Sequence, residues 1–284
     1  MKRDAGITLL ELLLSVGIVA VLASLITVAA KSGLENAKSA RELGAARNVM
    51  SAYLAYAGDN DGRLLPGIVE DPSEIGFPAA VDREGHKLGG YLAKRWPYRL
   101  APYFDYQYPG VAVVNDSLAD YRKQKDAAMA EYVASVQPSL GLNTTFVGGN
   151  YSFHHSEPRV DTDSGTYGSF CVTRLGQALK PGKLIVFVSA RFKTTSGSPS
   201  GAGAQGNFYV LSPRLFGQRW SDKFDQNSPS DRFGHVHPRW NNKALAVNLD
   251  GSSTLLGEDD LRDMRRWSNQ AAERDDANWS LETP

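Results

Sequence analysis

Apolar positions run almost unbroken from Ile7 to Ala30, with Glu11 as the one charge among them. As an α-helix, residues 7–30 span roughly 36 Å, enough to cross a bilayer. From Lys31 the pattern turns polar but keeps a helical period. Leu43, Ala46, Met50, Tyr53 and Ala57 recur at three and four residues, flanked by Val49 and Tyr56, which predicts an amphipathic continuation. Lys31 with Glu35 and Glu35 with Lys38 support the solvent face. No proline interrupts Ile7 to Leu65. The pattern therefore predicts one helix of about fifty residues, roughly 75 Å long, with Gly17, Gly33 and Gly44 as weak points. Gly58-Asp59-Asn60-Asp61-Gly62 ends it by turn chemistry.

Beyond Gly62 the elements are shorter. Leu64-Leu65-Pro66 opens an irregular stretch, and Arg95 to Tyr103 is rich in aromatics and prolines. Leu118, Tyr121, Met129, Tyr132 and Val136 partly follow helical spacing and predict a helix from Ser117 to Val136. Lys183 to Val188 is an apolar run that reads as a buried strand, and Asn207 to Leu211 as another. Lys243 to Leu249 alternates, Asp250-Gly251 follows, and Ser253-Thr254-Leu255-Leu256 comes next, which predicts a hairpin. A short helix from Asp259 to Trp267 carries acidic residues at its start, as the helix dipole favours. Asn269 to Pro284 is polar and reads as a loose tail. The resulting division is a leader at 1–6, an apolar helix at 7–30, its amphipathic continuation at 31–61, a globular head at 62–268 and a tail at 269–284.

Composition narrows the function classes. Charged residues are 22% and hydrophobic residues 42% of the 284-residue chain, which excludes wholesale disorder and collagen-like repeats. Lys plus Arg and Asp plus Glu are both 31, so the basic footprint of a nucleic-acid binder is lacking and no nucleic-acid partner is expected. Cys171 is the single cysteine; no intramolecular disulfide and no CxxC site can form, and a buried small hydrophobe is expected there.

Three readings of the N-terminus compete: a secretory signal cut after Val28-Ala29-Ala30, a plain single-span anchor, and a segment in which Glu11 has a job. A carboxylate in a membrane helix costs around 2.5–3.5 kcal/mol at the centre and calls for a partner. A cut after Gly6 would create an α-amine at Ile7, four residues before Glu11. The amine of a neighbouring identical subunit could then neutralise the acid.

Gly6-Ile7-Thr8-Leu9-Leu10-Glu11-Leu12-Leu13, behind the basic leader Met1 to Gly6, resembles the class III signal of type IV pilins and type II secretion pseudopilins. The resemblance implies cleavage between Gly6 and Ile7 by prepilin peptidase, N-methylation of Ile7, and pairing of Glu11 with a neighbour's N-terminus during filament assembly. Ile7 departs from the usual Phe. The implied fold is α+β, a long N-terminal helix, membrane-spanning in its first half, packed on a small antiparallel sheet. The implied partners are other pilin-like subunits, the peptidase, an inner-membrane assembly platform and, before assembly, lipid. The implied location is a single pass of the inner membrane with the head outside the cytoplasm, then a filament.

Further stretches resemble a group of large pilin-like proteins of Planctomycetes and Verrucomicrobia: Tyr53 to Pro66, Pro138 to Asn143, Val172 to Phe187, and Arg239 to Gly251. Where that group's last motif has histidine, Trp240 stands here, with His235 and His237 just upstream.

Other candidate chemistry competes with plain structural roles. Gly201 to Gly206 fits a GxGxxG string, but a Ser/Gly/Pro stretch precedes it and a strand-like run follows, so it reads as a loop. His235-Val236-His237 would set two imidazoles on one strand face, a spacing metals use, with His154 and His155 elsewhere. Asp250, Glu258, Asp259 and Asp260 could surround calcium, which some pseudopilins bind, although no spacing is diagnostic. Asn143, Asn150 and Asn278 begin N-x-S/T triplets. No GxSxG elbow is present. The expectation is therefore a filament subunit that is not an enzyme and requires no cofactor. The alternative is a displayed adhesin or ligand-binding module, which an exposed aromatic cluster around Trp96, Tyr98 and Tyr103 would favour.

Overall fold

A computed structural model describes residues 8–69, 77–151, 170–194, 205–215 and 217–281, without the side chains of Val28, Asn150 and Tyr151. The predicted long helix is present as α1, Leu9–Asp59, 51 residues without interruption. It ends where the turn residues place its end: Gly62, at φ +77°, donates its N–H to Ala57 O at 2.7 Å, a glycine closure of the last turn. By internal contacts the chain divides into two units, Met1–Ala40 and Arg41–Pro284.

In the first unit the apolar side chains are exposed: Leu9 is 75%, Leu13 62% and Ile26 67% accessible. The hydroxyls among them turn back to the helix. Ser15 Oγ donates to Leu12 O at 2.8 Å, Ser24 Oγ to Val21 O at 2.7 Å and Thr27 Oγ1 to Ser24 O at 2.7 Å. These polar atoms are thus satisfied locally, as an apolar surrounding requires.

The second unit is built on a five-stranded sheet. Its strands are β1 (Leu140–Asn143), β2 (Ile185–Ser189), β3 (Tyr209–Val210), β4 (Ala244–Asn248) and β5 (Ser253–Leu256), in the order β3-β1-β2-β4-β5. The expected hairpin is β4–β5, with Val247 opposite Ser253. Gly251 takes φ +86° in its turn. The sheet is mixed, which corrects the antiparallel expectation, because β3 pairs with β1 in parallel, Leu142 opposite Tyr209. Gly141 permits this approach; a Cβ there would lie 2.9 Å from Tyr209 O, a distance that only glycine avoids.

Both faces of the sheet are covered. Residues 41–59 of α1 lay Ala46, Val49, Met50, Tyr53 and Ala57 on one face with Leu140, Leu142, Phe187, Leu245 and Val247. The Tyr53 and Phe187 rings meet edge to face at 5.4 Å, and Tyr53 Oη donates to Leu65 O at 2.9 Å. Each fully buried side chain of this size contributes roughly 1.5–3 kcal/mol. On the other face Ile185, Val188, Ala244 and Ala246 meet Leu261, Met264, Trp267, Ala271, Trp279 and Leu281. A bulge between Ile185 and Phe187 lets Val186 and Phe187 join the helix-side core while Val188 returns to the other. Asn143 Nδ2 donates to Ile185 O at 3.0 Å and Trp267 O at 3.1 Å, tying β1 to the covering segment.

Three further expectations change. The helix predicted from Ser117 to Val136 is two helices, Asn115–Lys123 and Ala127–Val136; Asp126 caps the second by accepting from Ala128 N at 2.8 Å. The stretch after Asn269 is docked instead of loose. It forms the helix Asn269–Glu273, and Ala271, Trp279 and Leu281 are buried. The predicted helix at Asp259 is a five-residue helix, Glu258–Arg262, followed by a 3-10 turn at Met264–Arg266.

Candidate functional site at the helix start

Gly6 and Ile7 lie outside the described residues; the site is seen from Thr8 onward. Thr8 Oγ1 accepts from Glu11 N at 3.2 Å, and Glu11 Oε2 accepts from both Thr8 N and Thr8 Oγ1 at 2.9 Å. This is a reciprocal capping box, in which threonine and glutamate three apart satisfy each other's exposed N–H groups. It holds the Glu11 carboxylate at the positive end of the helix dipole. Glu11 is conspicuous in the sequence as a charge in an apolar run, whereas the capping role of Thr8 is not. The T-x-x-E spacing ahead of an apolar run was the signal that could have found it.

The other candidates do not converge on a site. His235 and His237 are each 6% exposed, but they do not share a strand face. His235 sits at φ +61°, and Val236 between them makes an isolated bridge to Ala190. Ser230 Oγ is hydrogen-bonded to His235 Nδ1 at 2.8 Å. Burial pushes the His235 imidazole down to about 4 and lowers that of His237 as well, so both are neutral near pH 7. His154 and His155 lie outside the described residues, as do Gly201 to Ala204 of the glycine-rich string.

The calcium candidates are engaged separately. Asp250 Oδ1 accepts from Ser252 N at 2.8 Å and Ser252 Oγ at 2.6 Å. Glu258 pairs with Arg262 at 2.7 Å and Asp260 with Arg266 at 3.0 Å, and Asp259 is exposed. Among the described residues, the set of three ligand-type side chains brought within 4.8 Å of one another is Asp82, Glu84 and His86. Asp82 and His86 are already bonded to each other at 3.1 Å, and Glu84 and His86 are exposed.

Trp96 and Tyr98 are core, 0% and 5% exposed, and Tyr103 is half-buried against Tyr56 at 5.7 Å. An exposed aromatic cluster is therefore not formed by these rings. Asn143, at 0% exposure, is inaccessible for modification in the folded head. Cys171 is buried, 7% exposed, among apolar side chains, and burial pushes its thiol upward, which keeps it protonated and unreactive.

Residues 1–27 match the family model of the prokaryotic N-terminal methylation motif. The chain carries a prepilin-type signal and is pilin- or pseudopilin-like in that segment. The match coincides with the start of a helix long and apolar enough to cross a membrane by length and composition. No curated protein and no solved structure matches the chain.

Proposed function

We propose that the protein is a non-enzymatic subunit of a type IV pilus or type II secretion pseudopilus. It waits in the inner membrane with its head outside the cytoplasm. Prepilin peptidase cuts between Gly6 and Ile7 and methylates the new amine, and an assembly platform moves the subunit into a helical polymer with its own kind or related subunits. The observation that carries this reading is the coincidence of the methylation motif at residues 1–27 with a helix whose apolar side chains are exposed from Leu9 to Ile26. Such a surface needs lipid or other helices around it.

Glu11 supplies specificity. Its carboxylate, presented in the first turn, would meet the ammonium of a neighbour's Ile7, and each charge would relieve the other in an apolar interior. Polymerisation and display of the head need no cofactor and no nucleic acid.

Mass spectrometry of the mature N-terminus tests processing: the expected species starts at Ile7 and is heavier by one methyl group. A mature chain that retains Met1 to Gly6 would contradict the reading. Glu11→Ala tests assembly: it should insert into the membrane yet yield few or no filaments. Filament yield equal to the unaltered protein would remove Glu11 from the mechanism.

A further inference from the structure

Glu42 is a carboxylate on the second half of α1 with 0% exposure, a position at which charged residues are rare unless paired. Its Oε1 accepts from Ser189 Oγ on β2 at 2.5 Å, and Ser189 Oγ in turn accepts from Leu245 N on β4 at 3.0 Å. Its Oε2 lies 3.6 Å from Arg239 Nε. The Arg239 guanidinium also donates to Ser139 O at 2.9 Å and Ala190 O at 2.8 Å. One helix side chain thus touches the end of β2 through Ser189 and, through Arg239, the segment leading into β4.

The group is not arranged for maximum stability. Glu42 Oε2 and Arg239 Nε both lack a hydrogen bond among the described residues, and an apolar pair of similar volume is often as stable as a buried ion pair or more so. What the group does supply is discrimination. The helix face next to Glu42 is Ala45, Ala46 and Val49, small side chains that leave the packing there weakly shaped, with the larger Met50 and Tyr53 lying farther along the helix. A one-turn slip moves the helix by about 5.4 Å. In one direction it puts Ala46 at the Glu42 position and strips Arg239 of its carboxylate. In the other it puts Lys38 there, a second cation beside Arg239.

We infer that Glu42, Ser189 and Arg239 form a registry lock, which sets the axial and rotational position of α1 residues 41–59 on the sheet. Glu42 is a positioning residue in this role.

The test uses methyl-labelled methionine in the full chain in detergent micelles. Met50, 1% exposed on the locked helix face, reports register, and Met264, 0% exposed in the core beyond the sheet, reports general folding. The double variant Glu42→Leu, Arg239→Gln removes both charges yet leaves a donor for the Ser139 and Ala190 carbonyls. It should split the Met50 resonance into two or more while Met264 stays single. Ser189→Ala, a smaller change, should broaden or split Met50 alone. A single, unshifted Met50 resonance in both variants would overturn the lock, as would equal splitting of Met50 and Met264. If the double variant fails to fold, Ser189→Ala decides: an altered Met50 supports the lock, and an unaltered one overturns it.

Discussion

Two stretches of one helix show opposite relations between composition and burial. From Leu9 to Ile26 α1 is the most apolar part of the chain, and its large side chains are 52–76% exposed. From Arg41 to Asp59 it is rich in alanine and charge, and Ala46, Val49, Tyr53 and Ala57 are at 0% exposure. Hydropathy alone would reverse the two. The second stretch is buried because an apolar stripe at helical spacing meets a sheet face in the same unit. The first has no such partner among the described residues of its own unit, and its apolar side chains stay exposed there.

Substitutions can break that contrast. Gly6→Ala should have the largest effect, complete loss of processing, seen on a gel as the uncut chain; cut protein at normal yield would refute it. Next comes the buried stretch. Tyr53→Ala should destabilise the head by about 3–5 kcal/mol through cavity formation, read from thermal unfolding of the full chain in micelles. Leu13→Ala, at an exposed position, should shift the same transition by no more than about 0.5 kcal/mol. Equal effects at the two sites would erase the distinction between the stretches.

Acid should act on the head as well. His235, held near 4 in the folded state against an ordinary value near 6.5, binds its proton more readily when unfolded. Its contribution is complete above pH 6.5 and is lost as pH falls toward 4, by about 3 kcal/mol. His235→Gln should flatten that part of the stability profile, and an unchanged slope would point to other groups. The most local effect belongs to Thr8→Ala. Loss of the cap should weaken the first helical turn by about 1 kcal/mol, measured as faster amide exchange at Leu10 and Glu11 with exchange beyond residue 20 unchanged.

Much of this architecture was legible in local patterns. The helix, its Gly62 stop, the β2 strand and the β4–β5 hairpin each follow from spacing or turn residues within a few positions. Glu11 stood out because a charge in an apolar run is conspicuous. Thr8 did not, because a threonine there looks ordinary until its distance to Glu11 is read as a cap. What stayed hidden depends on distant partners. Nothing local marks Gly141 as the point where β3 joins β1 in parallel. Glu42 likewise carries no local mark of burial, because its partners Ser189 and Arg239 come from distant parts of the chain. The break before Ala127 was signalled by Asp126, a good cap residue that the apolar spacing around it obscured. His235 and His237 show the converse error: their spacing suggested a strand face, but His235 itself is left-handed and turns the chain there.

The docking of the last segment also constrains how a head can be made. Trp267, Trp279 and Leu281 cover one sheet face, whereas the helix that covers the other comes from the opposite end of the sequence. Each strand therefore waits for contacts made late in synthesis, and the closing of loops this long is slow. A nascent chain cannot complete its second core before Leu281 has left the ribosome. Premature closure of that core is thereby discouraged.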